Sequence, residues 1–195
     1  MNTIKNVQQV YCKDRAGWRL WLSKYHGQKE GVWLVYDKGG SSERALTYNA
    51  IVEEALCFGW IDSKSGRVSA TQAKIWVAPR NLKSNWSKSN RERVAELIKA
   101  KKMQPAGLAL VKLAKKTGTW TALVDVQNSV VPADLKKEFT KSKKAWENFE
   151  KFPPSSKRII LEWILNAKKP ETRKARITQT VELAAKNIKA NHYRQ

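Results

Sequence analysis

The stretch EEALCFGWIDSKSG, residues 53–66, contains the change from a helical pattern to a strand pattern that decides the fold. Apolar residues recur at helical spacing around its start, and they are Ile51, Val52, Ala55, Leu56 and Gly59. Glu53 and Glu54 fall off this apolar face and are expected on a solvated one. Glycine adopts positive φ at no steric cost, so Gly59 predicts the end of the helix and the following WID predicts a strand. We therefore interpret the stretch as a helix followed by a strand within a packed core.

The carboxylates of this stretch also allow an interpretation as an acid–base site. Two carboxylates support general acid–base catalysis when their surroundings separate their pKa values. Adjacent helical side chains point about 100° apart, so Glu53 and Glu54 cannot both face one substrate well. A packed core does not explain the placement of Asp62, which we therefore retain as a pocket candidate. The structural alternative for Asp62 is a salt bridge with Arg67 or Arg80 at the strand edge.

Outward from this junction, the sequence predicts an α+β fold. The first part combines helices at about residues 13–25 and 47–59 with about three strands, including a hairpin that turns at Ser65-Gly66. The strand over residues 32–36 is expected to end in a glycine turn at residues 39–40. The remainder is predicted to be helical, at about residues 88–101, 105–118, 133–140, 142–150, 156–168 and 171–189.

These elements predict a small N-terminal helix–sheet unit of about three strands, followed by a mainly helical C-terminal module. As domains we expect an α+β domain with the hairpin and packed helices over residues 1–120, a helical module over 131–189, and a tail over 190–195. The helices between residues 88 and 117 are expected to pack back on the sheet. The number of domains, one or two, is left open.

The charge balance is the outlying feature of the composition. The 195 residues include 38 Lys and Arg against 17 Asp and Glu, which gives a formal net charge of +21. Residues 1–80 hold 12 basic and 7 acidic side chains, a net of +5, whereas residues 81–195 hold 26 and 10, a net of +16. Such a surface attracts nucleic acids and other polyanions, but a solubility shell of lysines on helix surfaces explains it equally well.

Several functional classes are disfavoured by the composition. Cys12 and Cys57 form no CxxC or Cys/His cluster, so we expect no metal site, and we predict no cofactor. The histidines His26 and His192 support no Ser-His-Asp triad, and no catalytic residue is predicted. No apolar run has the length of a membrane span, and we expect a cytoplasmic protein that does not bind the membrane surface. The oligomeric state is left open.

The segment PRNLKSNWSKSNRERV, residues 79–94, collects polar and basic side chains at a predicted helix start. Free N–H groups and the positive end of the helix dipole favour an anion there. Arginine grips phosphate or carboxylate in a bidentate way, and tryptophan offers a stacking face to a base. The anion-binding candidates are Arg80, Trp86, Ser87, Asn90 and Arg91. The structural alternative is an N-capped helix with a buried tryptophan.

The segment KKPETRKAR, residues 168–176, is a basic junction between the last two predicted helices. Clustered lysine and arginine side chains contact phosphate backbones without base specificity. The polyanion-surface candidates are Lys168, Lys169, Arg173, Lys174 and Arg176. The alternative is that these residues are solvated helix ends.

Several separated motifs, most of them containing tryptophan, are GVWLVYDKGG, LTYNAIVEEALCFGWIDS, PRNLKSNWSKSNRERV, MQPAGL and FPPSSKRIILEWILNAKKPETRKARITQTVELAA. Together they resemble the YdeI/OmpD-associated family, which is also labelled bacteriocin-protection. They occur in the family's order and cover about residues 13–189. The resemblance implies a cytoplasmic bacterial protein that protects against bacteriocins or envelope stress, with a small helical C-terminal module. It carries no catalytic residues over to this chain.

Three functional hypotheses follow from these patterns. The first is a stress or bacteriocin-protection protein that acts by binding rather than by catalysis. The second is a non-specific nucleic-acid-binding module that uses the basic second half. The third is an enzyme with a pocket between the hairpin of residues 60–80 and the segment 80–91, lined by Asp62, Arg80, Trp86 and Arg91.

Overall fold

The computed structural model describes residues 8–38 and 46–192. The chain separates into two compact units, Met1–Thr121 and Ala122–Gln195, which are treated one at a time below. The glycine turn predicted at residues 39–40 and the last three residues of the predicted tail lie outside the described residues. The α+β fold class predicted from the sequence is confirmed.

The first unit contains a four-stranded sheet and four helices among its described residues. In chain order its elements are β1 (Gln9–Tyr11), α1 (Arg15–Tyr25), β2 (Val32–Asp37), α2 (Tyr48–Cys57), β3 (Trp60–Arg67), β4 (Gln72–Pro79), α3 (Lys88–Lys99) and α4 (Pro105–Thr117). The strand order is β1-β2-β4-β3, with β1 parallel to β2 and the other neighbours antiparallel. The sheet thus has one strand more than the sequence predicted.

The junction after α2 has the predicted form. Thr47 caps the helix, because its side-chain oxygen accepts a hydrogen bond from the Ala50 N–H at 3.2 Å. Gly59 leaves the helix with a φ of +80°, and β3 begins at Trp60. Trp60 is buried, and its Nε1 donates to the His26 carbonyl oxygen at 2.8 Å. The helix and the strand are therefore joined inside the core of the unit.

The hairpin of β3 and β4 turns later than the sequence predicted. Gly66 lies within β3 opposite Lys74, and the chain reverses between Arg67 and Gln72. The Ser69 side chain closes this turn by accepting from the Thr71 and Gln72 N–H groups. The turn predicted at Ser65-Gly66 is wrong because sheet pairing holds both residues in the strand.

One face of the sheet carries the core of the first unit. Val32 and Leu34 of β2 lie opposite Val77 and Ile75 of β4, and all four side chains are buried. They pack with apolar residues of α1 and α2 such as Trp18, Leu22, Ile51 and Leu56. The helices α3 and α4 pack against α2, where the prediction had them on the sheet. Gly107 allows this close approach, since a Cβ there would lie 2.3 Å from the Cys57 carbonyl oxygen.

Glu54 does not lie on a solvated helix face, and that prediction is wrong. Its side chain is 2% exposed and accepts from Arg15 Nε and from Arg19 Nη1, both at 2.6 Å. Arg19 also donates to the Lys102 carbonyl oxygen at 3.0 Å. Glu53 forms a more exposed ion pair with Arg15 at 2.8 Å. Both glutamates thus hold α1 against α2, which accounts for their placement without acid–base chemistry.

The second unit is helical throughout its described residues. Its elements are α5 (Val124–Gln127), α6 (Ala133–Phe139), α7 (Lys143–Lys151), α8 (Pro154–Leu165) and α9 (Pro170–Ala185). They enclose a core that includes Leu135, Phe139, Phe149, Ile160 and Ile164. Ala190, where the tail was predicted to begin, is buried in this core. No helix among the described residues of the chain is long and apolar enough to span a membrane.

Candidate functional site

Arg80 and Trp86, two of the anion-binding candidates, lie together in the interior of the first unit. The Arg80 side chain is 7% exposed, and its Cζ lies 3.9 Å from the centre of the Trp86 ring. Its Nη2 donates to the Asn85 carbonyl oxygen at 2.6 Å. The Trp86 ring is 3% exposed and lies 5.0 Å from that of Trp120. The guanidinium and the indole therefore hold the loop between β4 and α3 in place through contacts in the interior of the unit.

The surroundings of Arg80 leave little space for a ligand. Burial lowers the pKa of Arg80 to about 10, and its Nε has no hydrogen-bond partner. The cavity beside it, lined by Arg80, Trp86 and side chains of α4, measures about 10 Å³. A cavity of that volume holds roughly one water molecule. This cluster is consequently too small for a phosphate or a nucleobase in the conformation described.

The other anion-binding candidates surround the start of α3. The Ser87 Oγ accepts from the Asn90 N–H at 3.2 Å, so it serves as the N-cap of the helix. The Asn90 side-chain oxygen accepts from Arg93 Nη1 at 3.3 Å, and Arg91 lies in the first turn. The hydroxyl and the amide oxygen are thereby engaged within the protein. Anion binding by these five residues stays a prediction.

Asp62 has a different partner from those that the sequence indicated. The Tyr48 hydroxyl donates to the Asp62 carboxylate at 2.9 Å, where the prediction had Arg67 or Arg80 as its salt-bridge partner. Burial, followed by this hydrogen bond, raises the pKa of Tyr48. Asp62 does not line the cavity at Arg80. A role for Asp62 in a pocket with Arg80, Trp86 and Arg91 stays a prediction.

The basic junction of the second unit contains two arginines held by the protein itself. Arg173 Nε and Nη2 donate to the two Asp134 carboxylate oxygens at 2.6 and 3.0 Å. The hydrogen bonds from Arg173 lower the pKa of Asp134. Arg176 donates to the Trp163 carbonyl oxygen, and the Arg176 Cζ lies 5.0 Å from the centre of the Trp163 ring. Both arginines therefore fix the junction between α8 and α9.

The three lysines of the same junction are exposed, and we call them the basic corner: Lys168, Lys169 and Lys174. None of the ion pairs found in the described part of this unit involves them. They surround the start of α9, a helix of 16 residues whose N-cap position makes no side-chain hydrogen bond. The positive end of a helix dipole and free ammonium groups both favour an anion. Binding of a polyanion at this corner stays a prediction.

A further surface lies on the face of the sheet opposite the core, and sequence reasoning did not select it. Trp33 of β2 lies opposite Trp76 of β4, with ring centres 5.5 Å apart and ring planes at 70°. The Lys74 Nζ lies 4.8 Å from the centre of the Trp33 ring. Both indoles are partly exposed. The period-two alternation of strand side chains in VWLVYD and AKIWVA is the signal that separates each tryptophan from its immediate neighbours and places it on the other face of its strand.

Polar side chains of β1, β2 and β4 lie on the same face of the sheet. The Tyr11 hydroxyl donates to Asp37 Oδ2 at 2.6 Å, and Gln72 Nε2 donates to Asp37 Oδ1 at 3.1 Å. The hydrogen bond from Tyr11 lowers the pKa of Asp37, so its carboxylate is ionised at neutral pH. We call the whole surface the aromatic sheet face: Tyr11, Trp33, Asp37, Gln72, Lys74 and Trp76.

The cysteine side chains are buried in the first unit. Burial raises the pKa of Cys12 to about 11 and also raises that of Cys57. Both thiols are consequently protonated at neutral pH. Among the described residues, no cluster of three or more His, Cys, Asp or Glu side chains could hold a metal ion.

Two family descriptions match separate parts of the chain. Residues 10–110, just over half of its length, match a domain of unknown function, DUF8412. Residues 128–187 match the family described as bacteriocin-protection, YdeI or OmpD-associated, which confirms that resemblance for the helical segment. No curated protein and no solved structure matches the chain.

Proposed function

Because the chain belongs to the DUF8412 family and its helical segment to the YdeI/OmpD-associated family, we propose that it is a bacteriocin-protection protein that acts by binding a polyanion. The proposed site is the basic corner, and the proposed compartment is the cytoplasm, where nucleic acids are abundant polyanions. We favour binding over catalysis because the cavity at Arg80 measures only about 10 Å³ and Asp62 does not line it.

The observation that carries this proposal is the contrast within the basic junction. Arg173 and Arg176 are engaged by the protein, whereas the three lysines beside them are exposed. These lysines belong to the segment that matches the protection family. Three phosphate contacts on duplex DNA give a log–log salt slope of about −2.7, at roughly −0.9 per contact. Affinity is therefore expected to fall about 40-fold between 50 and 200 mM salt.

The test compares two triple variants that lose the same charge. One is Lys168→Ala/Lys169→Ala/Lys174→Ala in the basic corner. The control is Lys143→Ala/Lys144→Ala/Lys151→Ala, which removes three exposed lysines on α7. Binding to a mixed-sequence DNA duplex is followed by fluorescence anisotropy at both salt concentrations. Survival of bacteria that produce each variant is measured against a panel of bacteriocins.

We expect the corner variant alone to lose both the steep salt slope and the protection. Equal duplex binding by the two variants would show that the charge acts non-locally, and the basic corner would then not be the site. Full protection by a corner variant that no longer binds duplex would separate protection from polyanion binding and overturn the proposal.

A further inference from the structure

The aromatic sheet face is a surface that the proposed function leaves without a role. Residues directly opposite each other on paired strands point to the same side of a sheet. The register therefore places Tyr11, Trp33 and Asp37 on one side together with Lys74 and Trp76. Their neighbours along β2 and β4 are buried against the helices. In the described part of the unit, the aromatic face is the side of the sheet away from that core.

The two indoles on this face are held in fixed positions. The Trp76 ring lies against the backbone of Gly31, where a Cβ would be 2.6 Å from the ring. The centre of the Trp33 ring lies 5.5 Å from that of Trp76, and the Lys74 ammonium group lies over the Trp33 ring, 4.8 Å from its centre. Because the rings are constrained before any ligand arrives, stacking on them costs little side-chain entropy.

The chemistry of the face fits an unpaired nucleobase attached to a phosphate. Indole rings stack on the π-faces of bases, and each such contact contributes roughly 1–3 kcal/mol. The Lys74 ammonium group lies over the Trp33 ring as a cation–π contact, and it can meet the phosphate of a nucleotide that stacks on the ring surface it leaves open. The Asp37 carboxylate already accepts two hydrogen bonds, which moderates its repulsion of a phosphate. The formal charge of the chain, +21, favours an anionic ligand over a neutral one such as a carbohydrate.

We propose that the aromatic sheet face binds single-stranded nucleic acid by stacking unpaired bases on Trp33 and Trp76, next to the cation of Lys74. A duplex keeps its bases stacked inside the helix and cannot present them to these rings. The basic corner, in contrast, requires only phosphates. The inference concerns other residues in the other unit and does not rest on the proposed function.

The first test uses single-stranded dT15 and dA15, with a 15-base-pair duplex for comparison. The variants are Trp33→Leu and Trp76→Leu, and the control is Trp146→Leu, a partly exposed tryptophan of the second unit. Each sheet variant is expected to weaken single-strand binding by about 5- to 150-fold, with duplex binding unchanged. The corner variant Lys168→Ala/Lys169→Ala/Lys174→Ala is expected to keep the preference for single strands. Equal affinity of all tryptophan variants for dT15 would overturn the inference.

A second measurement remains decisive if the leucine variants do not fold. Wild-type protein is irradiated with dT15 that carries 5-bromodeoxyuridine, and the crosslinked peptide is identified by mass spectrometry. An adduct on Trp33 or Trp76 supports the proposal. Adducts confined to other residues, or the absence of any adduct on Trp33 and Trp76, would refute it.

Discussion

Replacing Glu54 with glutamine is expected to cost the first unit about 3 kcal/mol of its free energy of unfolding. The carboxylate is buried and accepts from Arg15 and Arg19, each at 2.6 Å. Removing one member of a buried ion pair costs roughly 3–5 kcal/mol, because the partner charge is left uncompensated. The two arginine side chains are 35% and 34% exposed, so water reaches them and the lower end of this range applies.

The neighbouring residue provides the matched control. Glu53 is 28% exposed and makes one ion pair, so Glu53→Gln is expected to cost only about 0.2–1 kcal/mol. Urea denaturation is followed by tryptophan fluorescence, which reports mainly on the first unit because seven of the nine tryptophans lie at or before Trp120. If the two variants unfold within about 1 kcal/mol of each other, burial does not control the strength of this network and the reasoning is refuted.

Four other predictions address packing, pH dependence, thiol chemistry and domain structure. Gly107→Ala is expected to cost about 3 kcal/mol in urea denaturation, since its Cβ would overlap a carbonyl oxygen of α2. Gly118 has a φ of +79°, and a Cβ added there would meet nothing within 4 Å, so Gly118→Ala is expected to lower the free energy of unfolding by only about 1 kcal/mol. Equal losses of stability in the Gly107 and Gly118 variants would contradict the packing argument. Asp134→Asn is expected to destabilise the second unit by about 0.5–1 kcal/mol at pH 7. The folded-state pKa of Asp134 lies below the usual value of 3.8. This difference in stability should therefore be complete above pH 3.8 and be lost as the pH falls through the folded-state value. Circular dichroism in urea at a series of pH values from 7 downwards checks it, and a difference that does not change with pH would contradict it. Cys12, with a pKa of about 11, should resist iodoacetamide at pH 8 until urea unfolds the protein, and rapid labelling of the native protein would disprove this. Residues 122–195, produced alone, should show a helical circular dichroism spectrum and a cooperative thermal transition, and a featureless melt would show that they need the first unit.

The elements that could be predicted from the sequence are those determined by nearby residues. The helix start at Thr47 and its end at Gly59 depend on a side-chain cap and on the conformational freedom of glycine, and both signals lie within a few residues. The predicted helices after residue 88 agree with α3, α4 and α6 to α9 to within four residues at either end. Helical periodicity extends over more than one turn in these segments, so several residues in each segment give the same signal.

The features that could not be predicted depend on partners far along the chain. The strand β1 has only three residues and exists because it pairs with β2, more than 20 residues later. Glu54 looks solvated in the helical pattern because its partners Arg15 and Arg19 precede it by 39 and 35 residues. A periodic pattern shows which residues share a face, but it does not show what covers that face.

The same reasoning explains why the sequence offered Trp86 as an accessible stacking face. Trp86 was favoured as a stacking platform because basic residues surround it in the sequence, yet it is buried under Arg80. Trp33 and Trp76, which lie in the apolar runs of two predicted strands, were given no role from the sequence. The period-two pattern alone does not decide which of two apolar faces is covered. The register and the helix packing decide it, and they place these indoles outside.

The two proposed sites make separable contributions to nucleic-acid affinity. Release of counterions produces a term proportional to the logarithm of the salt concentration, and this term vanishes on extrapolation to 1 M salt. Loss of the basic corner should therefore change the slope of the log–log plot and leave its 1 M intercept in place. Stacking on the aromatic sheet face should appear in the intercept, because base–indole contacts release few ions. The leucine variants of Trp33 and Trp76 should lower the intercept for single strands while the slope persists, and a change in slope alone would assign their effect to charge instead.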